Sequence, residues 1–211
     1  MITLALEGID FSGKSTQVDL LLKELKAKSK NALSFKRPGG TPLGDKIREL
    51  IKFSPIKIDW QTEQLLFAAE HSTLIKSLST CSVTPELQID LIVFDRWNPV
   101  SAVAYGSQAG LSVDYLRQLY SLTPSFKLDF LFIMDIPWEE AKKRSAARSE
   151  TCKIEQRGDE YMSAVYGAYS KMFDTSGYLT FVAQFASKVV RIDATASAAE
   201  IHGMIKDVCG I

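Results

Sequence analysis

The sequence predicts an α/β protein of three layers, a five-stranded parallel sheet surrounded by helices and carrying a phosphate-binding loop. Three observations carry that expectation. Five short apolar or β-rich segments recur, at residues 2–6, 32–35, 91–94, 130–134 and 189–192, and helical patterns separate them. Such alternation implies βαβ crossovers and a parallel sheet buried on both faces. Second, Gly8-Ile9-Asp10-Phe11-Ser12-Gly13-Lys14-Ser15 reads G-x-x-x-x-G-K-S, set directly between the first apolar segment and a helical pattern. Third, 211 residues, 46% hydrophobic and 24% charged, suffice for one sizeable core, so residues 1–211 are expected to form a single domain.

The elements follow in order. After the loop, Val18, Leu21, Leu22 and Leu25 keep i, i+3, i+4, i+7 spacing, so that helix buries one stripe and exposes its lysines. Further helices are expected at 43–52, 61–78, 100–108, 113–120, 138–147, 160–173 and 197–208. The stretch 80–88, with Pro85 inside it, reads as a long surface loop.

Lysine and arginine number 25 against 25 acidic residues, so no global field favours nucleic acid or an anionic membrane surface. No apolar stretch approaches the roughly 18 residues of a membrane span, and the N-terminus lacks a secretory pattern, which predicts a cytoplasmic protein. Cys81, Cys152 and Cys209 are far apart, with only His71 and His202 to help, so free thiols are expected and not a zinc or disulfide site.

Ligands of an open parallel sheet gather beyond the carboxyl ends of its strands. In the phosphate loop, successive N–H groups cradle phosphate at a helix N-terminus, Lys14 reaches the β/γ-phosphates, and Ser15 ligates Mg²⁺. After the second strand, Lys36-Arg37-Pro38-Gly39-Gly40-Thr41-Pro42 sets a turn with free amides beside two cations, and Arg48 lies one turn into the next helix. After the third strand, Asp95 is placed to meet Mg²⁺ or its water shell, and Arg96 offers a fixed fork of donors for a phosphoryl group. Phe67 and His71 stand four apart on one helical face, a pair able to stack on a base and bond its edge, or to serve the core. Tyr105 offers a phenol to a sugar or to a helix end. The polar, basic segment 144–157 resembles a lid that closes cations over a nucleotide triphosphate.

In order and spacing these residues resemble the thymidylate kinase family. The resemblance rests on Glu7-Gly8, Arg37-Pro38-Gly39-Gly40-Thr41, Leu66-Phe67-Ala68-Ala69, Asp95-Arg96, Ser101 with Ala104-Tyr105, and Ile192-Asp193-Ala194-Thr195, and it spans nearly the whole chain. It implies a homodimer that transfers the γ-phosphoryl of ATP to dTMP with Mg²⁺. Residues 8–16, from Gly8 to Thr16, with Arg144 of the lid, would hold ATP. Asp10, Arg37, Arg48, Ser101 and Tyr105 would face the acceptor, Arg96 would grip its phosphate, Phe67 would stack on thymine and Tyr105 would screen against a 2′-hydroxyl. The segment 192–195 would lie near the donor adenine.

Five departures from the family pattern shape the expectation. Phe11 stands where eukaryote-like members carry an Arg, so the catalytic cation is expected from a lid of the bacterial-like type, with Arg148, Lys153 and Arg157 as candidates. The Asp-Arg pair of that lid appears as Cys152-Lys153. The Glu of the Arg-Glu-Pro-Gly-Gly run is missing, which leaves the basic role to Lys36 or Arg37. His71 replaces an Arg that meets the thymine edge, and Ala102 lacks a polar group that members often place there. These predict dTMP as substrate with weakened base readout, admitting dUMP or a 5-substituted dUMP. Two other readings stand beside this one: a kinase for another deoxynucleoside monophosphate, and a P-loop nucleotide-binding module without catalysis.

Overall fold

The computed structural model describes residues 1–80, 88–146, 152–174 and 176–211. Cys81, Pro85 and Arg148, with most of the expected loop at 80–88 and part of the expected lid, lie outside the described residues. The five expected strands form one parallel sheet: β1 (Ile2–Glu7), β2 (Ala32–Lys36), β3 (Leu91–Asp95), β4 (Leu128–Asp135) and β5 (Ala186–Asp193), in the order β2-β3-β1-β4-β5. Central strands carry continuous apolar runs because helices cover both their faces. Leu4, Ala5 and Leu6 of β1 and Leu91, Val93 and Phe94 of β3 are all fully buried. From β1 the chain steps outward to β2, returns through β3, and then crosses β1 to reach β4 and β5. The winding reverses at β1, and in such sheets the reversal opens a crevice at the carboxyl edge.

Register decides what stands at that edge. Leu6 pairs with Asp95, Lys36 with Asp95, Glu7 with Ile133 and Asp135 with Asp193, so β4 and β5 run two residues past the end of β1 at the same edge. Glu7, Lys36, Asp95, Asp135 and Asp193 therefore share one rim.

The helices are α1 (Lys14–Ala27), α2 (Pro42–Lys52), α3 (Trp60–Thr80), α4 (Asn98–Gln108), α5 (Val113–Ser121), α6 (Trp138–Ser145), α7 (Asp159–Lys171), α8 (Ser176–Ala183) and α9 (Ala198–Cys209). Val18, Leu21 and Leu25 of α1 are buried as the spacing requires. Thr41 caps α2 by accepting from the Gly44 N–H, with Pro42 in the first turn where no N–H is needed. Ser197 and Glu200 close a reciprocal capping box on α9. α8 was not expected; its mixed sequence shows no amphipathic period, and Phe181 and Val182 are held by burial instead. β4 and β5 start earlier than expected because Asp129, Ser187 and Lys188 interrupt the apolar pattern, although the ladder already pairs Leu128 with Ala186 and Phe130 with Lys188. No helix among the described residues is long and apolar enough to cross a membrane.

Candidate active site

Two glycines shape the loop after β1. Gly8 has φ 137°, and a Cβ there would meet the Met134 carbonyl oxygen at 2.5 Å, so the approach of β4 forbids a side chain. Gly13, φ 94°, precedes α1 without a side-chain cap, which leaves the first N–H groups of that helix open toward the loop. Lys14 Nζ donates to the carbonyls of Gly8 (3.0 Å) and Ile9 (2.6 Å) and to Ser12 Oγ (3.2 Å), spanning the loop that contains it. Burial, reinforced by the nearby Arg96 charge, pushes the Lys14 pKa down to about 8.

Ser15 Oγ donates to Asp95 Oδ2 at 2.6 Å, which brings the loop hydroxyl and the carboxylate of β3 to one point. A hydroxyl and a single carboxylate fit Mg²⁺, which keeps much of its shell as water and phosphate oxygen. Among the described residues no group of three or more His, Cys, Asp or Glu could hold a metal by itself.

Behind the loop, the buried Glu7 carboxylate organises the rim. It accepts from the Trp97 N–H (2.5 Å), Ser101 Oγ (2.7 Å), Tyr169 Oη (2.7 Å) and the Gly8 N–H (3.2 Å). Arg96 takes a left-handed backbone, φ 84°, which turns its side chain back across the loop. Its guanidinium donates to the Gly8 carbonyl (2.8 Å), to Asp10 Oδ1 (2.5 Å) and to Tyr105 Oη (3.3 Å). Although burial opposes it, the charges of Arg96 and Lys14 hold the Asp10 carboxyl well below the usual carboxylate range.

Two cavities meet there. The first is lined by Phe67, Gln64, Tyr105, Ser101, Ala102 and Asn98, with Pro38, Glu63, Ile154 and Arg157. Its wall is aromatic and amide-bearing, which suits a flat heterocycle and a sugar. The second runs over the phosphate loop and carries six cationic side chains, Lys14, Lys36, Arg48, Lys52, Arg96 and Arg144, against the carboxylates of Asp10, Asp95 and Glu155, while Arg37 lines it with its guanidinium turned away. That surplus suits a polyphosphate. Asp10, Lys52 and Arg96 belong to both cavities. A third hollow, lined by Asp135, Tyr166, Arg191, Asp193 and Thr195, opens where the segment 192–195 was expected to face the donor base.

Most expected residues converge on these cavities. Phe11, Gly13, Lys14, Ser15, Thr16, Arg48, Asp95 and Arg144 line the cationic cavity, and Phe67, Ser101 and Tyr105 the aromatic one. Gly8, Ile9 and Ser12 support from behind, being buried.

Three expectations are corrected. His71 lines neither cavity: it is 0% exposed, its Nδ1 lies 3.1 Å from Arg37 Nη2, and its ring packs edge-on against Trp97 and Tyr120. It sits one helical turn beyond Phe67, about 5.4 Å deeper along α3, where the cavity has ended and the core begins. Lys153 also lines neither cavity, because its ammonium is bound by the carbonyls of Ser54 (2.6 Å) and Ile56 (2.8 Å). Arg157 reaches the aromatic cavity, not the phosphate loop: it stacks on Trp60 and donates to Glu63 Oε2 (2.5 Å) and Tyr161 Oη (3.2 Å). Of the two basic residues left open after β2, Lys36 is the exposed one, while Arg37 turns inward to Glu70.

Sequence reasoning missed Lys52, Gln64, Asn98 and Glu70. Periodicity could have found two of them: Lys52 lies four residues after Arg48, and Gln64 three before Phe67, each on a face already singled out. Gln64 is 2% exposed, its Oε1 has no hydrogen-bond partner among the described residues, and it borders the aromatic cavity. Asn98, by contrast, is committed, donating to the Phe67 carbonyl (3.0 Å) and Glu70 Oε2 (2.5 Å).

Loop, rim and paired cavities define a P-loop protein built to hold two phosphate-bearing ligands end to end. The chain belongs to the thymidylate kinase family, whose model, described as thymidylate kinase, matches residues 6–205. It is similar to the thymidylate kinase of Chlorobium chlorochromatii, 32% identical over 94% of this chain and 90% of the relative. It is likewise similar to that of Thermosipho africanus, 33% identical over 80% and 83%, and of an Exiguobacterium species, 30% over 97% and 92%.

Proposed function

We propose that the protein transfers the γ-phosphoryl group of ATP to the phosphate of dTMP. The observation that carries this reading is the junction: a cationic cavity over a phosphate loop opens, at Asp10 and Arg96, into an aromatic, amide-bearing cavity whose chemistry suits a nucleoside. ATP places its phosphates against Lys14 and the open end of α1, and its base toward the hollow at Asp193 and Thr195. The acceptor base lies on Phe67 with its edge toward the Gln64 amide, and its sugar lies on Tyr105. Arg96, anchored by Asp10 and the Gly8 carbonyl, meets the acceptor phosphate.

Phosphoryl transfer asks the protein for position and charge more than for covalent chemistry. An acceptor phosphate oxygen bonds to the γ-phosphorus, the bond to the β–γ bridging oxygen breaks, and its electron pair leaves with ADP. Ser15 and Asp95 would hold Mg²⁺, which would supply charge neutralisation for the triphosphate. Lys14 and Arg96 hold donors toward oxygens that gain charge, and the walls formed by Phe67 and Ile154 exclude water. A homodimer is part of the same reading, checked by light scattering after gel filtration.

The test is ADP release with ATP and Mg²⁺ against dTMP, dUMP, 5-hydroxymethyl-dUMP, dCMP, dGMP, dAMP and thymidine. Preference for dTMP is expected. Turnover independent of any acceptor monophosphate would overturn the reading.

A further inference from the structure

Of the three side chains shared by the two cavities, two are committed to each other: Arg96 donates to Asp10 at 2.5 Å. The third, Lys52, is the last residue of α2, and its ammonium has no hydrogen bond or ion pair among the described residues. Its stem is held at the base, since the preceding Ile51 is buried in the core and the Lys52 carbonyl accepts the Lys153 N–H at 3.2 Å. The charged groups facing it are Asp10 from the loop and the guanidiniums of Arg96 and Arg48, with the Cys152 side chain beside them. Burial lowers its pKa more than Asp10 raises it. A partly buried cation without a counter-ion is costly to keep, and an arriving phosphate offsets that cost.

We propose that Lys52 is a catalytic cation of this kinase, contacting the transferring phosphoryl group where it leaves the donor and meets the acceptor. The proposal rests on the kinase reading above. Of the lid cations among the described residues, Lys153 is tied to the Ser54 and Ile56 carbonyls and Arg157 to Glu63, so neither of these two supplies a free charge at the junction. Lys14 borders the donor side alone, whereas Lys52 borders both. In the step, the γ-phosphorus gains a bond to an acceptor oxygen and loses its bond to the bridging oxygen, whose electron pair goes to ADP. With the acceptor phosphate ionised, no proton need move; Lys52 donates hydrogen bonds and stays an ammonium throughout.

Wild type, K52M and K52R are compared in turnover with ATP, Mg²⁺ and dTMP, and in calorimetric binding of dTMP, thymidine and inorganic tripolyphosphate. K52M is expected to lower kcat by about 10²-fold, with K52R recovering roughly a tenth or more of the wild-type value. K52M should weaken dTMP and tripolyphosphate by about fivefold or more while thymidine affinity holds, because only the phosphates meet the ammonium. Its melting temperature should not fall, since an unpaired charge is removed. A K52M turnover and dTMP affinity within about threefold of wild type would overturn the proposal. Absence of dTMP turnover in wild type would instead sink the kinase reading; equal tripolyphosphate binding by wild type and K52M would then overturn the role of Lys52, and weaker binding by K52M would support it.

Discussion

Arg37 and Glu70 form an ion pair with both side chains 0% exposed, Nε to Oε1 at 2.9 Å and Nη2 to Oε2 at 2.8 Å. The same carboxylate also accepts the Gly39 N–H at 3.0 Å, so it ties the turn after β2 to α3 and sets the wall of the cationic cavity. Glu70→Gln leaves a buried guanidinium without its counter-charge and is expected to lose about 3–5 kcal/mol of stability. Replacing both residues by Met is expected to lose less than that. Urea denaturation of the three proteins checks the ordering.

Lys14→Ala removes the cation spanning the phosphate loop, and kcat is expected to fall by about 10² to 10³. The depressed Lys14 pKa of about 8 adds a pH effect. Above that pH the free enzyme loses the Lys14 proton, and bound triphosphate draws it back. ATP binding near pH 8.5 should therefore take up protons, an uptake that Lys14→Ala abolishes. Calorimetry in buffers of different ionisation enthalpy measures it; equal enthalpies in all buffers would contradict the assignment.

Arg96 combines a left-handed backbone with four donor contacts, to the Gly8 carbonyl, Asp10, Tyr105 and Tyr169. Arg96→Ala and Arg96→Gly should both cut kcat by about 10² or more, since each removes the fork that meets the acceptor phosphate. Their stabilities should differ, Gly being the better tolerated at φ 84°. Near-normal turnover in either variant would refute the acceptor-phosphate role.

Gln64→Leu keeps the volume beside Phe67 and deletes the amide. The kcat/KM for dTMP is expected to drop about tenfold, the equivalent of one hydrogen bond, with the KM for ATP unchanged. Steady-state kinetics with each substrate varied in turn decide this.

His71 stays neutral in the folded protein because burial, with the Arg37 charge behind it, holds its pKa well below the usual 6.5. In the unfolded chain it takes a proton below about pH 6.5. The unfolded state then binds more protons, so this residue's contribution to stability is lost as pH falls through that value. His71→Gln should flatten the stability profile between about pH 5 and 6.5 and leave the dTMP to dUMP preference within about threefold of wild type. A larger change in preference would restore His71 to the base pocket.

The five strands, the phosphate loop and the Asp95-Arg96 rim were legible because their signals are local. Apolar runs such as residues 91–94 stand out wherever a strand is buried on both faces, and the Gly-x-x-x-x-Gly-Lys-Ser spacing encodes its own backbone curl. α8 was not, because its burial comes from contacts with distant elements and leaves no period in its own residues. The side-chain assignments followed the same division. Lys14, Ser15 and Asp95 lie where strand ends put them, so motif and register sufficed. His71 and Lys153 misled because one helical turn, or one pair of free carbonyls, determines whether a polar side chain meets a ligand or the protein itself. Lys52 and Gln64 carry no motif, and they acquire meaning only when the packing of α2 against α3 brings both to one cavity. Sequence by itself determined the class of chemistry, since phosphate binding is written in contiguous backbone. The tertiary structure decided which charges and amides remain unspent at the junction, because that depends on partners supplied from elsewhere in the chain.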